Sequence, residues 1–135
     1  MTNSLFKPKK ILIVDDSITE RRASIELLKE NHFLGEILEA ANGEEALEII
    51  STNYNDIGLI LLDWQMPKMD GIQLMKGLIK VKITASIPII LITASGSEEA
   101  KISVRRLNPQ LAGYIVKPYD SMEFIIKISP YVDFA

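Results

Sequence analysis

The apolar positions of this chain fall into short continuous runs, separated by longer segments in which they recur at helical spacing. Residues 9–14, for example, form a β-branched run that is too short for a helix and shows no alternation with polar residues. Such a run is typical of a strand buried on both faces of a sheet. The pattern predicts five strands, at residues 9–14, 37–41, 57–63, 87–93 and 113–118.

The segments between these strands predict helices. Ser17 and Glu20 have the spacing of a capping box, which predicts a helix to about residue 31 with Ile18, Ile25 and Leu28 facing the sheet. Further helices are predicted after the Asn-Gly turn at 42–43, over about 71–80, and after the Ser/Gly turn at 95–97.

The last helix is predicted to begin near residue 120, with Met122, Ile125 and Ile126 on its apolar face. Pro130 should break or kink it, so that it ends early or restarts with Ser129 as a cap.

Strands that alternate with helices favour one parallel sheet covered by helices on both faces, because each crossover is right-handed and long enough to hold a helix. The expected fold class is therefore doubly wound α/β. At 135 residues, with no repeat and no linker, the chain is expected to form a single domain. Residues 1–8 are assigned to an N-terminal extension and residues 9–135 to the domain.

Composition narrows the possible partners. A net charge of -3 and a pI near 5.2 do not favour broad electrostatic attachment to nucleic acid or to an anionic membrane. The absence of cysteine rules out disulfides and thiolate chemistry. No apolar stretch approaches the roughly 20 residues needed to span a bilayer. A cytoplasmic protein with no direct nucleic acid or membrane partner is expected.

Polar residues stand at the ends of four of the five predicted strands. They are Asp15 and Asp16 after the first strand, Asp63 at the third, Thr93 at the fourth and Lys117 at the fifth. Ligands of doubly wound sheets bind outside the carboxyl ends of the strands, so these side chains are expected to converge. Asp63 is the candidate reactive group, since Asp70 is better placed to cap the following helix.

Three carboxylates at one edge would repel each other unless positive charge compensates them. Lys117 supplies one charge, and Mg²⁺ suits the remaining oxygen ligands because it binds through one or two carboxylates together with phosphate oxygens. Asp63 would then be the nucleophile that forms an aspartyl phosphate, while Lys117 and Thr93 neutralise the phosphoryl oxygens. No Gly-rich phosphate loop follows the first strand, so the phosphoryl group must arrive on a donor.

These residues together resemble the receiver domain of two-component response regulators, over about residues 9–129. The motif at 63–71, Asp-Trp-Gln-Met-Pro-Lys-Met-Asp-Gly, is most similar to chemotaxis-type members. The resemblance implies a flavodoxin-like sheet with strand order 2-1-3-4-5, an order for which a chemotaxis receiver is itself a standard example. It also implies a cis bond between Lys117 and Pro118.

The resemblance further implies a role for each site residue. Asp63 would accept the phosphoryl group, Lys117 would pair with it, and Thr93 and Tyr114 would form the switch, with Tyr114 turning inward after phosphorylation. The metal ligands would be Asp16 directly, Asp15 partly through water, Asp63, and the backbone carbonyl of Gln65.

The implied partners are a histidine kinase or phosphotransfer protein as donor and a downstream protein that is not identified. The domain would catalyse only its own phosphorylation and slow hydrolysis, as a monomer or a phosphorylation-dependent dimer. Members of the family often signal through the fourth helix, fifth strand and fifth helix. The segment 108–110, Asn-Pro-Gln, and Pro130 depart from the usual pattern on that surface.

Three alternatives stay open. The chain could be a receiver fragment of a larger response regulator or hybrid kinase, or a receiver-like interaction module that works without phosphate. An aspartate-nucleophile phosphatase would share the fold class and Mg²⁺. Such enzymes usually need a second acid two residues after the nucleophile, where this chain has Gln65.

Overall fold

A computed structural model describes residues 7–66 and 69–135. Most of the predicted N-terminal extension and the predicted turn at Pro67 lie outside the described residues. The strands are β1 (Lys10–Val14), β2 (Ile37–Ala40), β3 (Ile57–Asp63), β4 (Ile89–Thr93) and β5 (Gly113–Val116). The helices are α1 (Ile18–Glu30), α2 (Gly43–Asn53), α3 (Gly71–Lys80), α4 (Lys82–Ala85), α5 (Glu98–Leu107) and α6 (Ser121–Ile128).

The five strands form one parallel sheet in the order β2-β1-β3-β4-β5, so the predicted doubly wound, flavodoxin-like fold is confirmed. The registers bring the strand ends into line. Val14 pairs with Leu62, Asp63 with Ile92, and Thr93 with Val116. The polar residues that end these strands are therefore neighbours at one edge.

The core has two halves, one on each face of the sheet. One half packs α2, α3 and α5 over Leu12, Ile60, Leu62 and Leu91, and the other packs α1 and α6 over Ile11, Leu59 and Ile90. Because alternate residues of each central strand point to opposite faces, both sets must be apolar, which explains the continuous apolar runs in the sequence.

Side-chain caps begin most of the helices where the sequence predicts them. Ser17, Asn42 and Asp70 each accept a hydrogen bond from the backbone N–H three residues later, and Asp70 with Gln73 forms a complete capping box. The short helix α4 was not predicted, since four residues give too little periodicity to recognise. At Asn108 the side-chain oxygen accepts a hydrogen bond from the Gln110 N–H, and α5 ends at the preceding residue.

The prediction for the apolar face of α6 is wrong for two of its three residues, since only Ile125 packs against the core. Met122 and Ile126 are 70% and 62% exposed, whereas Phe124 and Ile128 are fully buried. The helix has apolar residues on most of its circumference, so its sequence is compatible with more than one buried face. Ile18 of α1, also predicted to face the sheet, is 54% exposed because it is the first residue of its helix.

The last helix ends early, at Ile128, as Pro130 predicts. The residues that follow turn back to the loop between α1 and β2. The Leu34 N–H donates to the Asp133 carbonyl at 3.0 Å, and the Phe33 and Phe134 rings meet edge to face with centroids 6.0 Å apart. Among the helices described here, none has both the length and the apolar character needed to cross a membrane.

Candidate functional site: an acidic cluster with one lysine

The structure brings the predicted strand-end residues together at the carboxyl edge of the sheet. Asp15, Asp63 and Thr93 are buried, whereas Asp16 is exposed at the rim. Carboxylate oxygens of Asp15, Asp16 and Asp63 lie within 4.8 Å of one another. Hard divalent cations are bound by oxygen clusters of this kind, so these three residues can hold a metal ion.

The charges of this cluster are poorly compensated in the absence of a cation. Burial, together with the nearby charge of Asp63, raises the pKa of Asp15 to about 6, against the lowering effect of the Ser17 N–H and Lys117. Burial also raises the pKa of Asp63, and the charges of Asp16 and Glu20 act in the same direction, while Lys117 opposes them. A bound cation would favour the ionised form of both groups.

Lys117 follows β5 and reaches into the cluster. Its Nζ atom lies 3.6 Å from Asp15 Oδ2 and 3.6 Å from Asp63 Oδ1. The peptide bond between Lys117 and Pro118 is cis, as the family resemblance implies. Burial alone would lower the pKa of Lys117, but its hydrogen bond to Glu20 and the charges of Asp15 and Asp63 raise it above the ordinary lysine value. The side chain therefore stays cationic.

Glu20 is a site neighbour that the sequence reasoning missed. Its carboxylate accepts a hydrogen bond from Lys117 Nζ and forms an ion pair with it. The sequence predicted instead that this carboxylate would accept from the Ser17 N–H and complete a capping box. That N–H donates to Asp15 Oδ1 at 2.9 Å, so the expected partner of Glu20 is already taken.

Two hydrogen bonds connect Thr93 to Tyr114 through one residue. The Thr93 Oγ1 atom accepts from the Ser95 N–H at 3.1 Å, and the Tyr114 hydroxyl donates to the Ser95 carbonyl at 2.8 Å. Tyr114 is 4% exposed and therefore lies inward in this structure. Its movement on phosphorylation stays a prediction.

The Tyr114 ring also has two neighbours on its sides. Trp64 packs edge to face against it with ring centroids 6.4 Å apart, and Lys101 Nζ lies 5.8 Å from its centroid, within the range of a cation–π contact. Trp64 directly follows Asp63 and is half-buried. Its ring is therefore a neighbour of Tyr114, on a residue adjacent in sequence to Asp63.

The loop after β3 carries the remaining predicted residue. Gln65 is exposed, two residues beyond Asp63, and its proposed role as a carbonyl ligand stays a prediction. Gly71 permits the close approach of α3 to this loop, because a Cβ at that position would overlap the Asp63 carbonyl oxygen and crowd Trp64.

A five-stranded parallel sheet of order 2-1-3-4-5, with an acidic cluster and a lysine at its carboxyl edge, is the arrangement expected of a receiver domain. The sequence profile of the response regulator receiver domain matches residues 11–129 of this chain. The chain belongs to that family.

Within the family, its relatives include chemotaxis proteins. It is 37% identical over 112 residues to a chemotaxis protein CheY homolog of Campylobacter jejuni, an alignment that covers 82% of each chain. It superposes on a Borrelia burgdorferi chain from the crystal structure of a CheX-CheY-BeF3-Mg complex with a TM-score of 0.82 and 28% identity, covering 98% of this chain and 96% of that one. It is also 34% identical over 120 residues to the phosphate regulon transcriptional regulatory protein PhoB of Escherichia coli, covering 89% of this chain and 50% of PhoB.

Proposed function

We propose that this receiver accepts a phosphoryl group on Asp63, from a histidine kinase or phosphotransfer protein, and uses the aspartyl phosphate to change a protein-binding surface. The observation that carries the proposal is the position of Lys117 Nζ, 3.6 Å from Asp63 Oδ1 and beside the acidic cluster. This arrangement sets a fixed cation next to a carboxylate nucleophile, which is what transfer of a dianionic group requires.

The resident metal is proposed to be Mg²⁺. Asp15, Asp16 and Asp63 supply oxygen ligands only, and a cation would favour the ionised form of buried Asp15 and Asp63, which share a single lysine. The Gln65 carbonyl is proposed as a further ligand. When bound, Mg²⁺ supplies positive charge for the phosphoryl oxygens. The name of the Borrelia complex includes Mg and BeF3, which agrees with this assignment.

The protein side chains carry the transfer itself. An Asp63 carboxylate oxygen attacks phosphorus in line with the departing group, and the bond between phosphorus and the donor breaks with its electron pair leaving on the donor. Lys117 pairs with a phosphoryl oxygen. The Thr93 hydroxyl donates to another, since it accepts from the Ser95 N–H and its own hydrogen is not used by that bond. The reaction modifies the protein once, so the domain is a signalling phosphoacceptor and not a turnover enzyme.

The altered surface is proposed to be α5, β5 and α6. The two hydrogen bonds through Ser95 join Thr93 at the site to Tyr114 in β5, so a movement of Thr93 reaches that surface. Exposed apolar side chains on its helices include Met122 and Ile126 on α6, and Ile102 on α5 at 48%. The proposed partner is a downstream protein, or a second copy in a phosphorylation-dependent dimer of a protein that is otherwise a monomer.

The proposal is tested by the fluorescence of Trp64, the only tryptophan of the chain. Addition of Mg²⁺ and then of acetyl phosphate should change the emission in two steps, because Trp64 directly follows Asp63 in sequence and its ring packs against Tyr114. Intact-mass measurement should show one added phosphoryl group. In an Asp63→Asn control the second step and the mass increase should be absent.

A protein that gains no phosphoryl group from acetyl phosphate or from a phosphorylated histidine donor would contradict the proposal. Partner binding that is the same in wild type and Asp63→Asn under phosphorylating conditions would favour the phosphate-independent interaction module. Release of inorganic phosphate from a small phosphoester would favour the phosphatase.

One observation supports the alternative that the chain is a receiver fragment of a longer protein. The chain aligns with only 50% of PhoB, so receivers of this type also occur within longer proteins. Comparison of the protein size in its native cell with that of the 135-residue chain separates a receiver fragment from a separate chain.

The domain bounds are proposed as residues 9–135, with residues 1–8 as an extension. Buried Val132 and the contact between Phe33 and Phe134 support including the residues beyond α6. A cytoplasmic location is proposed, because a histidine kinase or phosphotransfer protein would donate there. No direct contact with nucleic acid or membrane is proposed, in keeping with the net charge of -3.

A further inference from the structure

Glu20 differs from the acidic or amide residues at the equivalent position of the next two helices. In α3 the Gln73 side chain accepts from the Asp70 N–H, and in α2 the Glu45 carboxylate accepts from the Ala41 N–H at 2.8 Å. Both side chains turn back on the start of their own helix. The Glu20 carboxylate instead crosses to Lys117 on the far side of the site.

The cause is local competition for one backbone donor. The Ser17 N–H is already bonded to Asp15 Oδ1, so Glu20 gains nothing by turning back. Lys117 offers a stronger partner because it carries a full positive charge, and Coulomb attraction adds to its hydrogen bond with the carboxylate. Glu20 is therefore directed at the lysine by the same Asp15 that belongs to the acidic cluster.

Lys117 is consequently shared among three carboxylates. Asp15 and Asp63 each approach its Nζ atom to 3.6 Å, while Glu20 forms the direct hydrogen bond. An incoming phosphoryl oxygen needs the same ammonium group. Glu20 is not among the three residues of the acidic cluster, and its side chain is 46% exposed at the mouth of the site.

We propose that Glu20 determines phosphodonor specificity, because it competes with the incoming phosphoryl group for Lys117 and so disfavours donors that carry the larger negative charge. Glu20 acts through Lys117 and touches no reacting atom, so it is a positioning residue. The inference rests on the proposed phosphorylation of Asp63.

Two small donors of different charge separate this role from a structural one. Acetyl phosphate is a dianion at neutral pH, and transfer breaks its O–P bond, forms the Asp63–phosphorus bond and releases acetate. Phosphoramidate is a zwitterion with a single net negative charge, and transfer breaks its N–P bond and releases ammonia. The product on Asp63 is the same, so the two donors differ only in the charge with which they enter the site and in the group that leaves.

Glu20→Gln should accelerate phosphorylation by acetyl phosphate by about fivefold and by phosphoramidate by about twofold, since the carboxylate is half exposed and its field is partly screened. The ratio of the two rate constants, measured by Trp64 fluorescence, should therefore rise. Glu26→Gln is the matched control, because Glu26 is an exposed acid of the same helix and its substitution removes the same charge. It should leave the ratio unchanged.

An NMR measurement tests the contact without phosphorylation. The Lys117 ammonium signal should exchange slowly with water in wild type and faster in Glu20→Gln, with no such change in Glu26→Gln. An equal exchange rate in wild type and Glu20→Gln would overturn the inference.

The kinetic outcomes distinguish the two proposals. An unchanged donor ratio in Glu20→Gln, or an equal change in Glu26→Gln, would overturn the role of Glu20 while leaving Asp63 as phosphoacceptor. A wild-type protein that neither donor phosphorylates would overturn the proposed function itself.

Discussion

Charged side chains have different environments at the two edges of the sheet, the carboxyl edge and the amino edge. At the carboxyl edge, buried Asp15 and Asp63 share Lys117, and the pKa of each carboxylate is raised. At the amino edge, charged groups are paired near the surface: Lys10 Nζ donates to Asn53 Oδ1 at 3.0 Å and lies 3.3 Å from Glu36. The aromatic contact of Phe33 with Phe134 lies at the same edge.

This difference separates the amino edge, whose contacts stabilise the fold, from the carboxyl edge, which carries the reactive groups. Charges held out of water without full compensation cost stability, and such groups concentrate at functional sites. Exposed ion pairs and aromatic contacts cost little and add modest stability. Substitutions at the carboxyl edge should therefore alter phosphorylation, and those at the amino edge should alter stability alone.

Lys117→Met should have the largest effect. It removes the cation beside Asp63, and we expect the rate of phosphorylation by acetyl phosphate to fall by about a hundredfold. The measurement is the rate of the Trp64 fluorescence change. Lys10→Met makes the same substitution at the amino edge and should leave that rate unchanged. Similar rates in Lys117→Met and wild type would remove Lys117 from the proposed mechanism.

Asp15 should make the stability of the metal-free protein depend on pH. Its pKa is about 6 in the folded protein and 3.8 as a free side chain, so the folded state binds the proton more tightly. The contribution is therefore favourable below about pH 4 and is lost as the pH rises through about 6, up to about 3 kcal/mol in all. Urea unfolding across this range should show a larger loss in wild type than in Asp15→Asn, where only the raised pKa of Asp63 still contributes.

Adding Mg²⁺ gives a second test of the contribution of Asp15 to stability. Added at pH 7, it should restore the stability of wild type, because ligands that bind only the folded state stabilise it. Asp15→Asn should respond less, since one carboxylate of the cluster is gone. If the free energies of unfolding of the two metal-free proteins changed in parallel with pH, burial would not raise the pKa of Asp15.

Phe134→Ala should lower the free energy of unfolding by about 2 kcal/mol, less than for a fully buried ring because Phe134 is half-buried. A double-mutant cycle with Phe33→Ala should attribute about 1 kcal/mol of this to the ring pair. Phosphorylation rates should stay at the wild-type value. A large fall in rate would show that the two edges are not independent.

Tyr114→Phe should have the smallest effect, a loss of about 1 kcal/mol, because it removes the hydrogen bond to the Ser95 carbonyl and keeps the ring packing. Phosphorylation should persist, while the coupling of Asp63 to the α5–β5–α6 surface should weaken. The readout is the amide shifts of that surface in NMR, before and after phosphorylation. Identical shift changes in both proteins would exclude this route of coupling.

Much of the site could be predicted because its residues stand at the ends of recognisable strands. The apolar run at 57–63 and the Asp that ends it are adjacent in sequence, and parallel strands must bring such ends to one edge. The site role of Glu20 was not predicted, because neighbouring residues in the sequence indicate a different partner for it. Its spacing from Ser17 is that of a capping box, and only the hydrogen bond from the Ser17 N–H to Asp15 makes that pairing unavailable.

The buried face of α6 was likewise decided by contacts made across the fold. Met122 and Ile126 are as apolar as Phe124 and Ile128, and only packing against β5 and α1 distinguishes the two pairs. The return of Phe134 to Phe33 joins residues about a hundred positions apart, a separation that no local pattern encodes.

The sequence by itself determined the strands, the starts of most helices and the acids and lysine at the carboxyl edge, because periodicity, capping and strand ends are properties of neighbouring residues. The tertiary structure alone decided which partner each polar group takes. It directed Glu20 to Lys117 and linked Thr93 to Tyr114 through Ser95. Donors and acceptors compete for partners in three dimensions, and the outcome depends on which groups the packed sheet and helices bring within reach.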